Sequence, residues 1–236
     1  MIIPSGIDLS ATARLIVSLQ AKNYQRSLKS SSRTRNFRYL KKMKGETSKI
    51  KANEAIIKQS FEREGIASLF SYMQQEGFFQ SPSSTKWHGN YEGGLVDHCL
   101  AVCELFKRMA VRFRLTFSSE SIFIVSITHD LCKVGFYSKR SDGKGYTYNT
   151  EVAKKGHAKL SLERTKRFIK LTDLEEKMIR YHMGMYGTYE WAQSKGLPRD
   201  RGEYSLAELT SAFQDPLVKL FYFCDDMTSQ FIDRTI

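Results

Sequence analysis

Six positions along this 236-residue chain carry side chains that could share one piece of chemistry: His98, the adjacent pair His129 and Asp130, His157, His182 and Asp226. Imidazole nitrogen and carboxylate oxygen together suit a hard or borderline divalent cation. The central pair lies in Ser126-Ile127-Thr128-His129-Asp130-Leu131-Cys132-Lys133, which closes the apolar run Ile122-Phe123-Ile124-Val125. Ile122, Val125 and His129 stand at i, i+3 and i+7, so the histidine continues a buried helical stripe. Burying an imidazole, a carboxylate and the Lys133 ammonium within five residues is costly unless something pairs with them. A divalent cation offsets that cost, and a phosphate would satisfy the lysine.

The remaining candidates sit where helices would present them. His98 follows Gly93-Gly94-Leu95 and shares a face with Leu95, Val102, Leu105 and Met109. His157 follows Gly156 and opens the segment Ala158 to Leu162. His182 ends a helix whose start, Thr172-Asp173-Leu174-Glu175, has the form of a capping box. Asp225-Asp226 interrupts an apolar helix containing Leu217, Leu220, Phe221, Phe223 and Met227, and a carboxylate there needs a partner.

The spacing predicts helices over about 94–115, 120–132, 156–170, 173–183 and 215–233, after a helical pattern that begins near residue 52. The turn cluster Ser141-Asp142-Gly143-Lys144-Gly145, flanked by Phe136-Tyr137 and by Tyr146-Thr147-Tyr148, predicts a short β-hairpin. Residues 184–204, which run from Gly184 and include Gly187, Gly196, Pro198 and Gly202, read as irregular with one short helix. The expected fold is an all-α helical bundle with a small β-hairpin and a basic N-terminal extension.

Composition sets the outer bounds. A hydrophobic share of 41% with 12% aromatics supports a real core. No apolar run is long enough for a membrane span, and the N-terminus lacks the pattern of a signal peptide. Cys99, Cys103, Cys132 and Cys224 lie inside apolar helical patterns with no Cys-x-x-Cys pair, so they are expected as reduced core thiols of a cytoplasmic protein. Charge is uneven: the first 60 residues hold 13 basic and 3 acidic side chains, a net +10 of the whole chain's +12. The basic run spans residues 22–44. It reads either as a solvated arm, which could also pack against a subunit of a homo-oligomer, or as a phosphate-contacting arm for nucleic acid. Tyr24, Phe37 and Tyr39 interleave it and could stack on bases. The expected division is a basic extension at 1–55 and a single domain at 56–236.

The order His98, His129-Asp130, His157, His182, Asp226 resembles the HD-domain metal-dependent phosphohydrolases, over roughly residues 60–236. Asp226 is preferred to Asp225 because Asp-Met-x-Ser resembles the family's last motif, and Cys132 stands where the family often has glycine. The resemblance implies one divalent cation on His98, His129, Asp130 and Asp226. It implies a second on His157 and His182, with Asp130 bridging. Manganese, iron, cobalt, nickel, zinc and magnesium are not distinguished. It further implies hydrolysis of phosphoester or phosphoanhydride bonds of a nucleotide-type substrate by metal-activated water, with Asp130 and Lys133 catalytic. Lys133 would hold a phosphate oxygen. The loop ahead of the first ligand helix would line the pocket, with Trp87 or Tyr91 stacking a base and Lys86 or His88 meeting a phosphate. Two alternatives remain: a 3'-5' exonuclease guided by the basic arm, and a non-catalytic metal-binding regulatory module.

Overall fold

The computed structural model describes residues 47–59, 63–143, 145–149 and 156–232; the basic run at 22–44 lies outside them. Nine α-helices and two strands among the described residues position the site. Helix α1 spans Thr47–Gln59 and α2 spans Ile66–Gln75. The long helix α3, Gly94–Arg112, packs on α4, Ser119–Thr128. Strands β1 (Tyr137–Lys139) and β2 (Tyr146–Tyr148) form an antiparallel hairpin. Helices α5 (Ala158–Lys166), α6 (Asp173–Tyr181), α7 (Tyr189–Ser194), α8 (Leu206–Ala212) and α9 (Pro216–Met227) complete the body. The expected all-α fold with a minor hairpin is therefore present. Among the described residues, no helix is long and apolar enough to cross a membrane.

Local chemistry explains where the site-bearing elements begin. Gly94 opens α3 against the backbone of Gly89, whose carbonyl oxygen would lie 2.0 Å from any Cβ added at 94. Only glycine permits that approach, and it folds the loop 83–93 back onto the helix that carries His98. Ser118 caps α4 by accepting from the Ser121 N–H. Thr172 and Glu175 form the reciprocal capping box at α6. Asp215 accepts from the Leu217 N–H, and Pro216 takes the first helical position of α9.

α9 packs on both α3 and α6, and α5 packs on α6 and on the turn after α4. Phe106, Phe221, Ile124, Ile127 and Leu95 are fully buried between these helices. The division expected at residue 55 falls inside α1. There Lys49 and Asn53 donate to the Asp97 carboxylate, as does the Tyr91 hydroxyl, so α1 and the glycine loop are both tied to the residue beside His98.

Two expectations need correction. The helix predicted over 120–132 ends at Thr128, and Leu131–Lys133 form a separate 3₁₀ turn with Asp130 at φ −106°, ψ 17° between them. Residues 184–204 hold α7 as expected, but 3₁₀ turns at Gly184–Gly187 and Arg199–Arg201 add order that a glycine- and proline-rich composition does not reveal. Tyr204 supplies much of it: it is fully buried and donates its hydroxyl to the Gly184 carbonyl.

Candidate metal centre

Five elements converge on Asp130, which is 2% exposed. α3 brings His98, the end of α4 brings His129, the residue before α5 is His157, the residue after α6 is His182, and α9 brings an aspartate. On one side, Asp130 Oδ2 lies 3.6 Å from His98 Nε2 and 3.4 Å from His129 Nε2. Those two nitrogens are 3.3 Å apart. On the other side, Asp130 Oδ1 lies 2.8 Å from His157 Nε2 and 3.8 Å from His182 Nε2. One carboxylate thus faces two histidine pairs through its two oxygens.

The second carboxylate is Asp225. Its Oδ1 stands 3.1 Å from His98 Nε2 and 3.5 Å from His129 Nε2. Asp226 does not take that place, which corrects the register preferred from the sequence motif. Asp226 is one residue, a rotation of about 100°, further along α9. After burial, its charge is the larger aspartate contribution that raises the Tyr222 phenol to about 12.

The imidazoles are held in a chosen tautomer. His129 Nδ1 donates to the Ser126 carbonyl at 2.8 Å, and His182 Nδ1 donates to the Ile179 carbonyl at 2.7 Å. A carbonyl only accepts, so in the neutral ring Nε2 keeps its lone pair and points it at the cluster. His157 differs: its Nδ1 lies 3.0 Å from the Cys132 thiol sulfur. The ring's position comes from its backbone. Glu203 accepts the N–H groups of His157, Ala158 and Lys159 at 2.6, 2.9 and 2.7 Å, and Arg180 pairs with the same carboxylate at 2.9 Å. Burial opposes ionisation of Glu203, but the Lys159 N–H, the charge of His157 and the His157 and Ala158 N–H groups outweigh it and hold the carboxyl below its ordinary value.

Charge within the cluster is strongly coupled. Burial opposes ionisation of Asp130, but Lys133 and His129 outweigh it and hold the carboxyl well below its usual range. Asp225 behaves likewise through His129 and His98. The same carboxylates carry His129 up to about 10 against burial. His182 goes the other way: burial, then the neighbouring His129 and His157, lower it to about 4. Lys133 is 9% exposed with Nζ 2.6 Å from Asp130 Oδ2, and that carboxylate raises its pKa against burial. The 3₁₀ turn accounts for the contact by placing Lys133 three residues after Asp130.

These residues fit a divalent cation. Bonds of roughly 2.1 Å to nitrogen or oxygen place neighbouring donor atoms roughly 3.0–3.5 Å apart, close to the spacings of His98, His129, Asp130 and Asp225. His98, His129 and Asp130 form one group able to hold an ion, and Asp130, His157 and His182 form another. His182 Nε2 is buried without a hydrogen-bond partner. Leaving such an atom unsatisfied costs about 1–3 kcal/mol, which a cation would remove.

The loop ahead of α3 contributes unevenly. His88 stands next to His98, ring centroids 5.2 Å apart, with its Nε2 buried and unsatisfied. Burial first, then the nearby His98 and Lys133, lowers it to about 3, so it is neutral at physiological pH. Tyr91 is bound to Asp97. Trp87 is 70% exposed, and Lys86 is exposed beside it. Sequence reasoning missed Asp225 in favour of its neighbour, and it missed Glu203 and the Cys132 contact, both of which depend on pairings distant along the chain.

A helical domain whose helix ends converge on a buried cluster of histidines around one aspartate defines a metal-binding α-helical class. A sequence model of the HD domain matches residues 95–227, more than half of the chain, and the protein belongs to the HD domain family. A stretch of 68 residues is 31% identical to the dihydroneopterin 2',3'-cyclic phosphate phosphodiesterase of Methanocaldococcus jannaschii. The match covers 27% of this chain and 27% of that enzyme. No solved structure gives a significant match.

Proposed function

We propose that this chain is a metal-dependent phosphohydrolase that cleaves a phosphoester or phosphoanhydride bond of a nucleotide-type substrate. The observation that carries the reading is Asp130, buried with one oxygen toward His98 and His129 and the other toward His157 and His182. Membership of the HD domain family and the likeness to a cyclic-phosphate phosphodiesterase support it. His98, His129, Asp130 and Asp225 would hold one divalent cation, and His157, His182 and Asp130 a second. Such cations neutralise charge on phosphoryl oxygens and make water a better nucleophile at neutral pH.

The chain's own groups supply orientation and charge. The Ser126 and Ile179 carbonyls fix the His129 and His182 rings, and Glu203 fixes the backbone at His157. Lys133, held cationic by Asp130, can meet a phosphoryl oxygen and stabilise negative charge that builds there. His88 offers its buried Nε2 to the substrate's phosphate or leaving oxygen. The four free cysteines suit a reducing compartment, as expected for a cytoplasmic enzyme. The basic run at 22–44 could add contact with a polyanion, and a homo-oligomer is compatible with the arm.

The test is a substrate panel with Mn²⁺, Fe²⁺ or Co²⁺. It holds ribo- and deoxyribonucleoside mono- and triphosphates, 2',3'- and 3',5'-cyclic nucleotides and a short single-stranded RNA. Hydrolysis of a free nucleotide, lost in Asp130→Ala, supports the reading. Shortening of the RNA alone assigns a nuclease, and silence across the panel with metal bound assigns a regulatory module.

A further inference from the structure

The hairpin that follows Lys133 is not used by the metal centre, yet it carries three tyrosines in six strand positions. Tyr137 pairs with Tyr148 and Lys139 with Tyr146. Side chains alternate along a strand, so these four share one face and Ser138 and Thr147 take the other. The hairpin grows directly out of the site. Phe136, 2% exposed, has its ring centroid 6.1 Å from that of His157. The Tyr137 and Tyr148 rings lie 5.9 and 5.6 Å from Phe136 and 5.8 Å from each other. Tyr137 is near enough to the centre for Lys133 and Asp130 to act on its hydroxyl, and Tyr148 is 53% exposed. Lys139 reaches Glu92, on the loop before α3, at 2.8 Å.

A continuous aromatic strip therefore runs from a ring packed against His157 to one open to solvent. A ring anchored at one edge and open at a face costs little to desolvate and presents a π surface, which suits stacking on another planar ring.

We infer that Tyr148, backed by Tyr137, is a stacking subsite for a planar heterocyclic ring joined to the phosphate that the centre receives. This rests on the phosphohydrolase reading for where the phosphate lies, and it moves base recognition from Trp87 and Tyr91 to the hairpin. The same chemistry could come from a free nucleotide or from the terminal nucleotide of a strand.

The test measures binding, not turnover. The full chain with Mn²⁺ is titrated with the 5'-monophosphate of 2-aminopurine riboside, whose fluorescence falls on stacking, and with ribose 5-phosphate by calorimetry. Tyr148→Ala and Tyr148→Leu should weaken the ring-bearing probe roughly 5- to 150-fold, with ribose 5-phosphate unchanged. Tyr148→Phe should restore the wild-type value within about twofold. Equal loss for both ligands overturns the inference. So does an unchanged probe affinity in Tyr148→Ala, a loss confined to Trp87→Ala, or no quenching by the wild type at millimolar probe. A short RNA ending in 2-aminopurine that binds more tightly than the free probe assigns the ring to a strand end; the reverse assigns it to a free nucleotide. If no phosphate bond is ever cleaved but the ring-selective loss stands, the subsite survives and the hydrolase reading falls.

Discussion

Asp225 Oδ1 stands 3.1 Å from His98 Nε2, joining the last helix of the domain to the first ligand helix. Its neighbour Asp226 acts more strongly than Asp225 on the Tyr222 phenol. The two aspartates therefore separate cleanly in an experiment. Asp225→Asn should weaken divalent-cation binding by more than the 10- to 100-fold typical of losing an outer partner of a ligand. Asp226→Asn should leave it within about threefold, below that outer-partner range. Titration calorimetry with Mn²⁺ reads both, and a larger loss in Asp226→Asn would restore the register suggested by the motif.

That choice shows how much of the site was legible. The order of His98, His129, Asp130, His157 and His182 could be read directly, because His98 and His157 follow glycines, His129 and Asp130 close an apolar run, and His182 ends a helix begun by a capping box. The phase of α9 was also legible: Leu217 and Phe221 are buried at i and i+4, and the next position on that stripe is 225. The His129 ring rests on Phe221, centroids 5.6 Å apart, which is the packing that the stripe encodes. Motif likeness pointed one residue further and outranked the periodicity. Glu203 was not legible, because it acts 46 residues from His157 and no local pattern marks a loop glutamate as the cap of a distant helix. The end of α4 at Thr128 was hidden for a related reason. The apolar run favours a longer helix, and only the tertiary demands on Asp130 and Lys133 break it.

Glu203 gives a second prediction. Its two oxygens divide the work: Oε1 accepts from His157 and Ala158, and Oε2 accepts from Lys159 and pairs with Arg180. Glu203→Gln keeps one acceptor and loses the charge. The cation position formed with His157 and His182 should weaken about 10- to 100-fold, with the His98 and His129 position little changed. Two-site metal titration followed by isothermal calorimetry distinguishes that outcome from a uniform loss.

Lys133 should separate binding from turnover. Lys133→Ala removes a cation from beside Asp130 but no ligand atom. The hydrolysis rate should fall about 10²- to 10³-fold, with metal stoichiometry retained. A variant that turns over normally would remove Lys133 from any role at the phosphate.

Acid stability should depend on a pair outside the site. Arg63 donates to both oxygens of the fully buried Glu175, at 2.7 and 2.9 Å, and to Glu120 at 2.9 Å. Burial opposes ionisation of Glu175, but the Arg63 hydrogen bonds prevail and hold its pKa below the ordinary 4.5. A depressed carboxylate contributes stability that is fully present above 4.5 and is lost as pH falls through the folded value. Arg63→Ala should therefore cost about 3–5 kcal/mol at neutral pH, and the deficit should narrow below pH 4.5. Denaturant melts at pH 7 and about pH 3.5, a value chosen to lie below the carboxylate reference range, check the sign. A deficit that is the same at both would show that Arg63 acts through packing alone.

Asp130 couples metal content to chemistry, and one variant reads both. Wild-type chain and Asp130→Ala are reconstituted with Mn²⁺, desalted, and assayed together for bound metal and for phosphate-bond hydrolysis on the nucleotide panel. Bound metal and hydrolysis are expected in the wild type and the loss of both in the variant, with its helical circular dichroism preserved. A wild type that retains no divalent cation, or an Asp130→Ala variant that hydrolyses as fast as the wild type, would contradict that expectation.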